Sequence, residues 1–247
     1  MSGLMLAGDV YIDRLTDDGV STGYLDPVNT TKLAITQPDP DVKNRISNMK
    51  DTLGQALDSV SLPKPAELAI AIDDQPADIL AMALLGSIED YSQGSGTVTD
   101  EAVTLVLDKW VHLAKRNIND SGFSLATAAV PGTPKVEDTD YKVNRAAGLV
   151  KALNSGTAVA CLIDYGHAAV AGSKVTGGTR PICKAKILVD GKNLANGKLC
   201  TLEIDEATLS PTGEIDLLNG EFVTTELKGT MKTLTGQTNP YRYVEYD

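Results

Sequence analysis

Aromatic residues are scarce in this chain of 247 residues, which contains one Trp and two Phe. Single-stranded nucleic-acid binders and carbohydrate grooves depend on aromatic stacking, so both classes are disfavoured. Basic residues are outnumbered, with 22 Lys and Arg against 33 Asp and Glu and a formal net charge of −11. Because an acidic chain gains no counterion release on DNA or on anionic lipid, we expect neither specific DNA binding nor binding to membrane surfaces.

Long apolar runs and an even cysteine count are missing as well. No stretch approaches the roughly 20 apolar residues of a membrane span, so we expect no membrane segment. The three cysteines, Cys161, Cys183 and Cys200, lie far apart in apolar alternating segments. This pattern is typical of buried reduced thiols and argues against a disulfide framework.

Motifs that carry chemistry are also scarce. The sequence has no G-x-S-x-G elbow and only two histidines, His112 and His167, neither with a supporting motif. The cysteines lack the spacing of about two to four residues that closes a zinc knuckle. Adjacent acids such as Asp73-Asp74 lie in turn-forming sequence, where Asp is favoured for backbone reasons. We therefore predict no catalytic residue, no metal site and no cofactor.

What the sequence has in quantity is alternation of apolar and polar residues. Leu68, Ile70 and Ile72 share one face of a predicted strand. The same alternation recurs over residues 183–189, 200–205 and 223–231. Strands with one apolar and one polar face are typical of antiparallel sheets. The predicted fold class is mainly β, an antiparallel β-sandwich or β-barrel with one flanking α-helix and long loops.

Turn signals place strands in the last quarter of the chain. Asp190-Gly191, Asn196-Gly197 and Asn219-Gly220 are dipeptides that accept the positive φ values of hairpin turns. Residues 182–247 are therefore predicted to form C-terminal strands joined by hairpins.

The single helix is predicted over residues 76–86. Asp73, Asp74 and Gln75 offer N-cap groups, Pro76 suits the first helical position, and Gly86 suits a left-handed end. Its predicted apolar stripe consists of Ile79, Leu80, Ala83 and Leu84.

Residues 37–59 show mixed charges and no strong period, and we predict an extended loop there. Loops of this length in a compact β domain usually carry function, so we expect this one to contact a neighbouring subunit or ring. The alternative is an ordered loop folded back on its own sheet. The predicted contact residues are Lys43, Arg45 and Lys50, meeting acids on the partner, and Ile46, Met49 and Leu53, covering apolar surface.

Six segments carry a family resemblance in combination. They are residues 7–15 (AGDVYIDRL), 23–36 (GYLDPVNTTKLAIT), 43–60 (KNRISNMKDTLGQALDSV), 64–86 (KPAELAIAIDDQPADILAMALLG), 97–118 (TVTDEAVTLVLDKWVHLAKRNI) and 138–153 (DTDYKVNRAAGLVKAL). Together they resemble the major tail tube protein of long, non-contractile-tailed (siphovirus-type) bacteriophages.

This resemblance implies one tail-tube domain over residues 1–247 in the virion, synthesised in the cytoplasm of the host bacterium. Six copies would close into a ring, and stacked rings would form a hollow tube through which DNA passes without specific binding. The implied partners are other copies of the chain, a tape measure protein in the lumen, and tail terminator and distal tail proteins at the tube ends. Three alternatives stay open: a tube protein of a contractile tail or tail-like injection machine, a non-assembling β-sandwich binding module, and a hydrolase.

A channel for DNA also carries an electrostatic expectation. Acids on its wall would prevent phosphate capture, so we expect Lys184, Lys186, Lys228 and Lys232 to face outward or to be paired with acids. The alternative is that the net charge of −11 only keeps the monomer soluble.

Overall fold

The computed structural model describes residues 3–218 and 220–246, and within them the chain is mainly β with one α-helix. The elements in chain order are β1 (Leu6–Arg14), β2 (Thr30–Thr36), β3 (Asp41–Ile46), β4 (Ala56–Leu62), β5 (Glu67–Ile72), α1 (Ala77–Ala83), β6 (Ser87–Gln93), β7 (Gly96–Thr104), β8 (Trp110–His112), β9 (Ser124–Thr127), β10 (Tyr141–Asn144), β11 (Leu149–Ala152), β12 (Ala160–His167), β13 (Val170–Thr176), β14 (Cys183–Asn193), β15 (Leu199–Pro211), β16 (Thr225–Met231) and β17 (Tyr241–Tyr246). The mainly-β fold class with a single helix is confirmed.

The chain forms two compact units. Unit 1 comprises the residues up to Ile88 and again from Val175 onward, and unit 2 comprises Glu89–Lys174. The single tail-tube domain that the resemblance implies over residues 1–247 stays a prediction, and the two units divide this range. Both boundaries fall inside strands, in β6 and β13, which pair with each other.

Unit 1 is built on a seven-stranded antiparallel sheet. Six strands follow the order β1-β14-β15-β16-β5-β2, and the seventh, β17, pairs with β15 beside this path. The long strand β15 pairs with β17 along its first half and with β16 along its second half. The end strands β1 and β2 line one cavity of about 410 Å³ together with Tyr243 of β17. The sheet is therefore curled, which brings its two ends to the same opening.

The predicted alternation is confirmed in the core of unit 1. Leu68, Ile70 and Ile72 of β5 are buried, as are Cys183, Ala185 and Ile187 of β14. These side chains belong to one apolar cluster that β1, β15, β16 and α1 complete. The apolar positions of a period-two pattern thus face the inside of the curled sheet.

One predicted turn is wrong and one is confirmed. Asp190-Gly191 lies inside β14, where Gly191 pairs with Gly8 of β1. A Cβ on Gly191 would lie 3.2 Å from the carbonyl oxygen of Ala7 and 3.3 Å from Sγ of Cys200, so this glycine serves close strand approach and not a turn. Gly197, with φ of 78°, does turn the chain between β14 and β15. Asn219 of the third predicted turn lies outside the described residues.

Helix α1 is shorter than predicted and differs at both ends. Its N-cap is Pro76, with no side-chain cap hydrogen bond. At the other end Leu85, not Gly86, has a positive φ of 47°. The N–H groups of Leu85 and Gly86 bond to the carbonyls of Met82 and Ala81, which is a Schellman ending.

Glycine is needed at position 86 for space. A Cβ there would lie 2.5 Å from the carbonyl oxygen of Thr176. The buried side of the helix also differs from the predicted stripe, because Ile79, Ala81, Met82 and Ala83 are buried while Leu80 is half-buried and Leu84 exposed. The helix packs on the sheet through β15 and β16.

Unit 2 contains two three-stranded antiparallel sheets, with the orders β10-β11-β8 and β7-β12-β9. A second apolar cluster, centred on Val150, Ile163 and Tyr165, fills its interior. Over residues 3–218 and 220–246, no helix is both long and apolar enough to cross a membrane.

Candidate assembly surface

The extended loop predicted over residues 37–59 is a β-hairpin. Strands β3 and β4 pair antiparallel from Asp41 opposite Leu62 to Ile46 opposite Ala56, with a register shift next to Arg45. Every residue of both strands is exposed. A two-stranded hairpin with no packed face is only marginally stable in water. Packing against another surface would therefore stabilise this hairpin.

The β3–β4 hairpin (residues 41–62) exposes seven large apolar side chains. Their exposed fractions run from 45% for Leu57 to 70% for Leu53. The full set is Val42, Ile46, Met49, Leu53, Leu57, Val60 and Leu62. Single apolar side chains are normal on a protein surface, but seven on one exposed hairpin favour an interaction site.

The hairpin tip (residues 47–55) is ordered by its own hydrogen bonds. The N–H of Ser47 donates to the carbonyl of Gln55 at 2.8 Å, and the N–H of Gly54 donates to the carbonyl of Ser47 at 2.9 Å. The hydroxyls of Ser47 and Thr52 lie 2.7 Å apart, and Ser47 is fully buried inside the turn. This network holds Met49 and Leu53 in solvent at fixed positions, which lowers the entropy cost of binding.

The structure brings the six predicted contact residues onto this one element. Lys43, Arg45 and Ile46 lie on β3, while Met49, Lys50 and Leu53 lie at the tip, and all six are exposed. Whether they touch a partner stays a prediction.

The cations of the hairpin differ in their surroundings. The Nη2 atom of Arg45 lies 2.7 Å from Oδ2 of Asp58, so its ion pair forms within the hairpin. Both side chains of that pair are about two-thirds exposed (68% and 67%), and such surface pairs contribute about 1 kcal/mol or less. Lys43 and Lys50 have no ion pair with the described residues.

Two other exposed features of unit 1 are not among the predicted contact residues. The segment between β15 and β16 exposes Leu218 and Phe222 almost completely, at 94% and 95%. Strand β17 pairs only with β15 in the described part of the chain, and β2 pairs only with β5. The sequence carries a signal for each feature: two leucines, Leu217 and Leu218, stand in a turn-rich stretch, and the β17 sequence YRYVEY has high strand propensity. Both strands offer free backbone edges to another copy.

Charge is distributed unevenly between the two units. Unit 1 has 23 Asp and Glu against 14 Lys and Arg, whereas unit 2 has ten against eight. Unit 1 therefore carries nine of the eleven surplus negative charges.

The lysines singled out from the sequence all have partners in unit 1. Lys184 and Lys232 lie 3.8 and 3.1 Å from the buried carboxylate of Glu206. Lys228 pairs with Glu67 at 3.0 Å. The ammonium of Lys186 lies over the ring of Tyr24, 5.7 Å from its centroid. Each cation thus has a negative carboxylate or an aromatic face beside it.

The cysteines and histidines, which the sequence offers as candidates for catalysis or metal binding, lie apart from one another in the structure or are buried. All three cysteines are free and buried, and burial raises the pKa of Cys183 to about 11, which makes its thiol unreactive at neutral pH. His112 lies exposed on β8, and His167 is buried beside Gln93. Across the described residues, no group of three or more His, Cys, Asp or Glu side chains is placed to hold a metal ion.

Comparison with known proteins gives a family but no activity. Residues 4–241 match the family model described as Protein of unknown function UCP028589, and the chain belongs to this family. No curated protein sequence matches it.

Proposed function

We propose that this member of the family is a structural virion protein, the subunit of a bacteriophage tail tube. Copies associate into hexameric rings, and the rings stack into the hollow tube of a long, non-contractile tail that conducts DNA during ejection. The observation that carries this proposal is the β3–β4 hairpin, which exposes seven large apolar side chains and has no packed face in its own subunit. The six segments that resemble tail tube proteins support it independently.

The geometry of the hairpin favours a repeating contact. A protruding element that seats on a different surface of the next copy makes a head-to-tail interface, which closes into rings or extends into filaments. The free edges of β2 and β17 add a second route, because a strand edge can continue its sheet into another copy. A ring satisfies such edges without leaving loose ends.

The resemblance supplies the remaining partners of the proposal. A tape measure protein occupies the lumen, and tail terminator and distal tail proteins close the two ends of the tube. DNA moves through without specific binding, and the surplus of acids in unit 1 is consistent with a wall that does not capture phosphate.

Electron microscopy of the purified chain, with light scattering, tests the proposal. We expect sixfold rings or tubes. The matched control joins Val42 to Ser61, a cross-strand pair, through an Asn-Gly turn and so removes residues 43–60. Since no residue of the hairpin belongs to the core of unit 1, this variant should fold and stay monomeric. A full chain that is folded and monomeric at high concentration and low salt contradicts the proposal.

A further inference from the structure

Residues 89–174 have the structural features of an insertion into unit 1. The chain enters unit 2 along β6 and leaves it along β13, and these two strands pair with each other. Near the ends of the segment, Nζ of Lys174 lies 3.3 Å from Oε2 of Glu89. Adjacent ends are what allow a domain to be inserted into a host fold without disturbing it.

The two units have separate hydrophobic cores. Every buried residue of the first apolar cluster belongs to unit 1, including Ile70 of β5 and Ile187 of β14. Every buried residue of the second cluster belongs to unit 2, including Val150 of β11 and Ile163 of β12. A compact unit with its own core has the basis for folding alone.

The outer strands of the two three-stranded sheets of unit 2 are short or interrupted. Strands β8, β9 and β10 are only three or four residues long. Pro134 bridges to Ala126 and so covers the outer edge of β9. The longer edge strand β7 is interrupted by a register shift and by Asp100, with φ of 53°. Short, bulged and proline-covered edges prevent strand pairing between copies.

The edges of unit 1 are longer and open. Strands β2 and β17 have seven and six residues, contain no proline, and each pair with one neighbour in the described residues. The register shift in β2 lies at its first residues, Thr30 to Lys32, and leaves the pairing from Lys32 to Thr36 regular. The exposed β3–β4 hairpin also belongs to unit 1. Strands β6 and β13 also pair only with each other in the described residues, but they cross the boundary between the units. The surfaces that lie on unit 1 alone are therefore the exposed apolar hairpin and the edges of β2 and β17.

We propose that self-association resides in unit 1 alone and that unit 2 is a separately folding insert which assembly does not require. This inference rests on the proposed function, and it identifies the partner of the hairpin as unit 1 of another copy. Unit 2 is carried by the assembly and contributes none of its contacts.

Three buried cysteines report on the two units separately. Cys161 lies in the core of unit 2, while Cys183 and Cys200 lie in unit 1. The substitution Val150→Asp places a carboxylate in the core of unit 2, and Ile70→Asp does the same in unit 1. Thiol labelling of both variants, read by peptide mass spectrometry, shows which unit has opened.

We expect Val150→Asp to expose Cys161 alone and to leave assembly unchanged. We expect Ile70→Asp to expose Cys183 and Cys200, to leave Cys161 protected, and to abolish assembly. If either substitution exposes the thiols of both units together, the units fold as one and the inference is wrong.

An excision variant tests the assembly half directly. Residues 90–173 are replaced by a short Gly-Asn-Gly linker, which the proximity of Glu89 and Lys174 allows. The variant should form the same rings or tubes as the full chain in electron microscopy. A folded variant that stays monomeric while the full chain assembles overturns the inference and leaves the proposed function standing. A full chain that never assembles overturns the proposed function and this half of the inference, while thiol labelling still decides whether the units fold separately.

Discussion

Replacing both Met49 and Leu53 by aspartate should abolish assembly without unfolding the subunit. These side chains are 64% and 70% exposed, so about two-thirds of each remains to be buried by a partner. Complete burial of a Met or Leu side chain contributes about 1.5–3 kcal/mol. The two positions together then contribute about 2–4 kcal/mol per contact, which weakens association by about 30-fold to 700-fold when they are lost. The carboxylates add a desolvation penalty in the same direction.

Sedimentation velocity over a concentration series measures this loss, and thermal unfolding checks that the subunit is intact. The matched control replaces Val130 and Val136 of unit 2, which are 99% and 62% exposed, by aspartate. It adds the same charge and removes the same kind of surface, yet should assemble normally. Tubes formed by the tip variant at wild-type concentrations would refute the argument, because the hairpin tip would then contribute nothing to the contact.

Three further predictions concern stability. Met82→Asp should lower the free energy of unfolding by about 3 kcal/mol or more in chemical denaturation, because Met82 is 1% exposed and the carboxylate would be buried without a partner; no change would mean that α1 does not pack on the sheet. Gly86→Ala should lower the melting temperature, because its Cβ would lie 2.5 Å from the carbonyl oxygen of Thr176; an unchanged value would show that this contact relaxes freely. Hydrogen bonds from Arg145 lower the pKa of Glu137 below its usual 4.5, so this stabilisation is present above pH 4.5 and is lost as the pH falls through the lowered value. Glu137→Gln should therefore reduce the acid sensitivity of unit 2, followed by tryptophan fluorescence, and equal acid profiles would contradict the linkage.

The sequence predicted the strands that bury one face and missed the strands that bury none. Period-two alternation arises because one side of a strand meets the core, as Leu68, Ile70 and Ile72 do. In the β3–β4 hairpin both faces are exposed, and the cross-strand pair of Lys43 and Val60 mixes polar and apolar character on one face. Without a buried face there is no selection for alternation, so the segment has no period. The same property that hid its structure supports the proposed contact with another copy, since the apolar side chains of the hairpin are exposed in their own subunit.

The division into two units was hidden for a different reason. Sequence searches for domain boundaries rely on flexible linkers rich in Gly, Pro and Ser. Here the boundaries at Ile88 and Val175 fall inside the paired strands β6 and β13, where ordinary strand composition continues. The C-terminal end of the helix was misassigned because two different constraints, a positive φ and close packing, both select glycine at position 86. The sequence favoured positive φ, whereas the structure shows close approach to Thr176.

The acidic composition has two explanations, an acidic channel wall for DNA or solubility of the monomer, and they predict different locations for the charge. If the surplus only kept the monomer soluble, it would have no reason to concentrate, yet unit 1 has 23 acids against 14 bases while unit 2 is nearly balanced. Concentration in unit 1 favours an acidic channel wall, because unit 1 is the unit that we propose to form the ring. Lys184 and Lys232 share the carboxylate of Glu206, so these lysines are partly neutralised before any ring forms. We therefore expect the electrostatic potential calculated on an experimental structure of the assembled tube to be negative along the channel wall. A wall that is net positive, with lysines that lack acid partners directed at the axis, would show that the acids of unit 1 do not serve DNA passage.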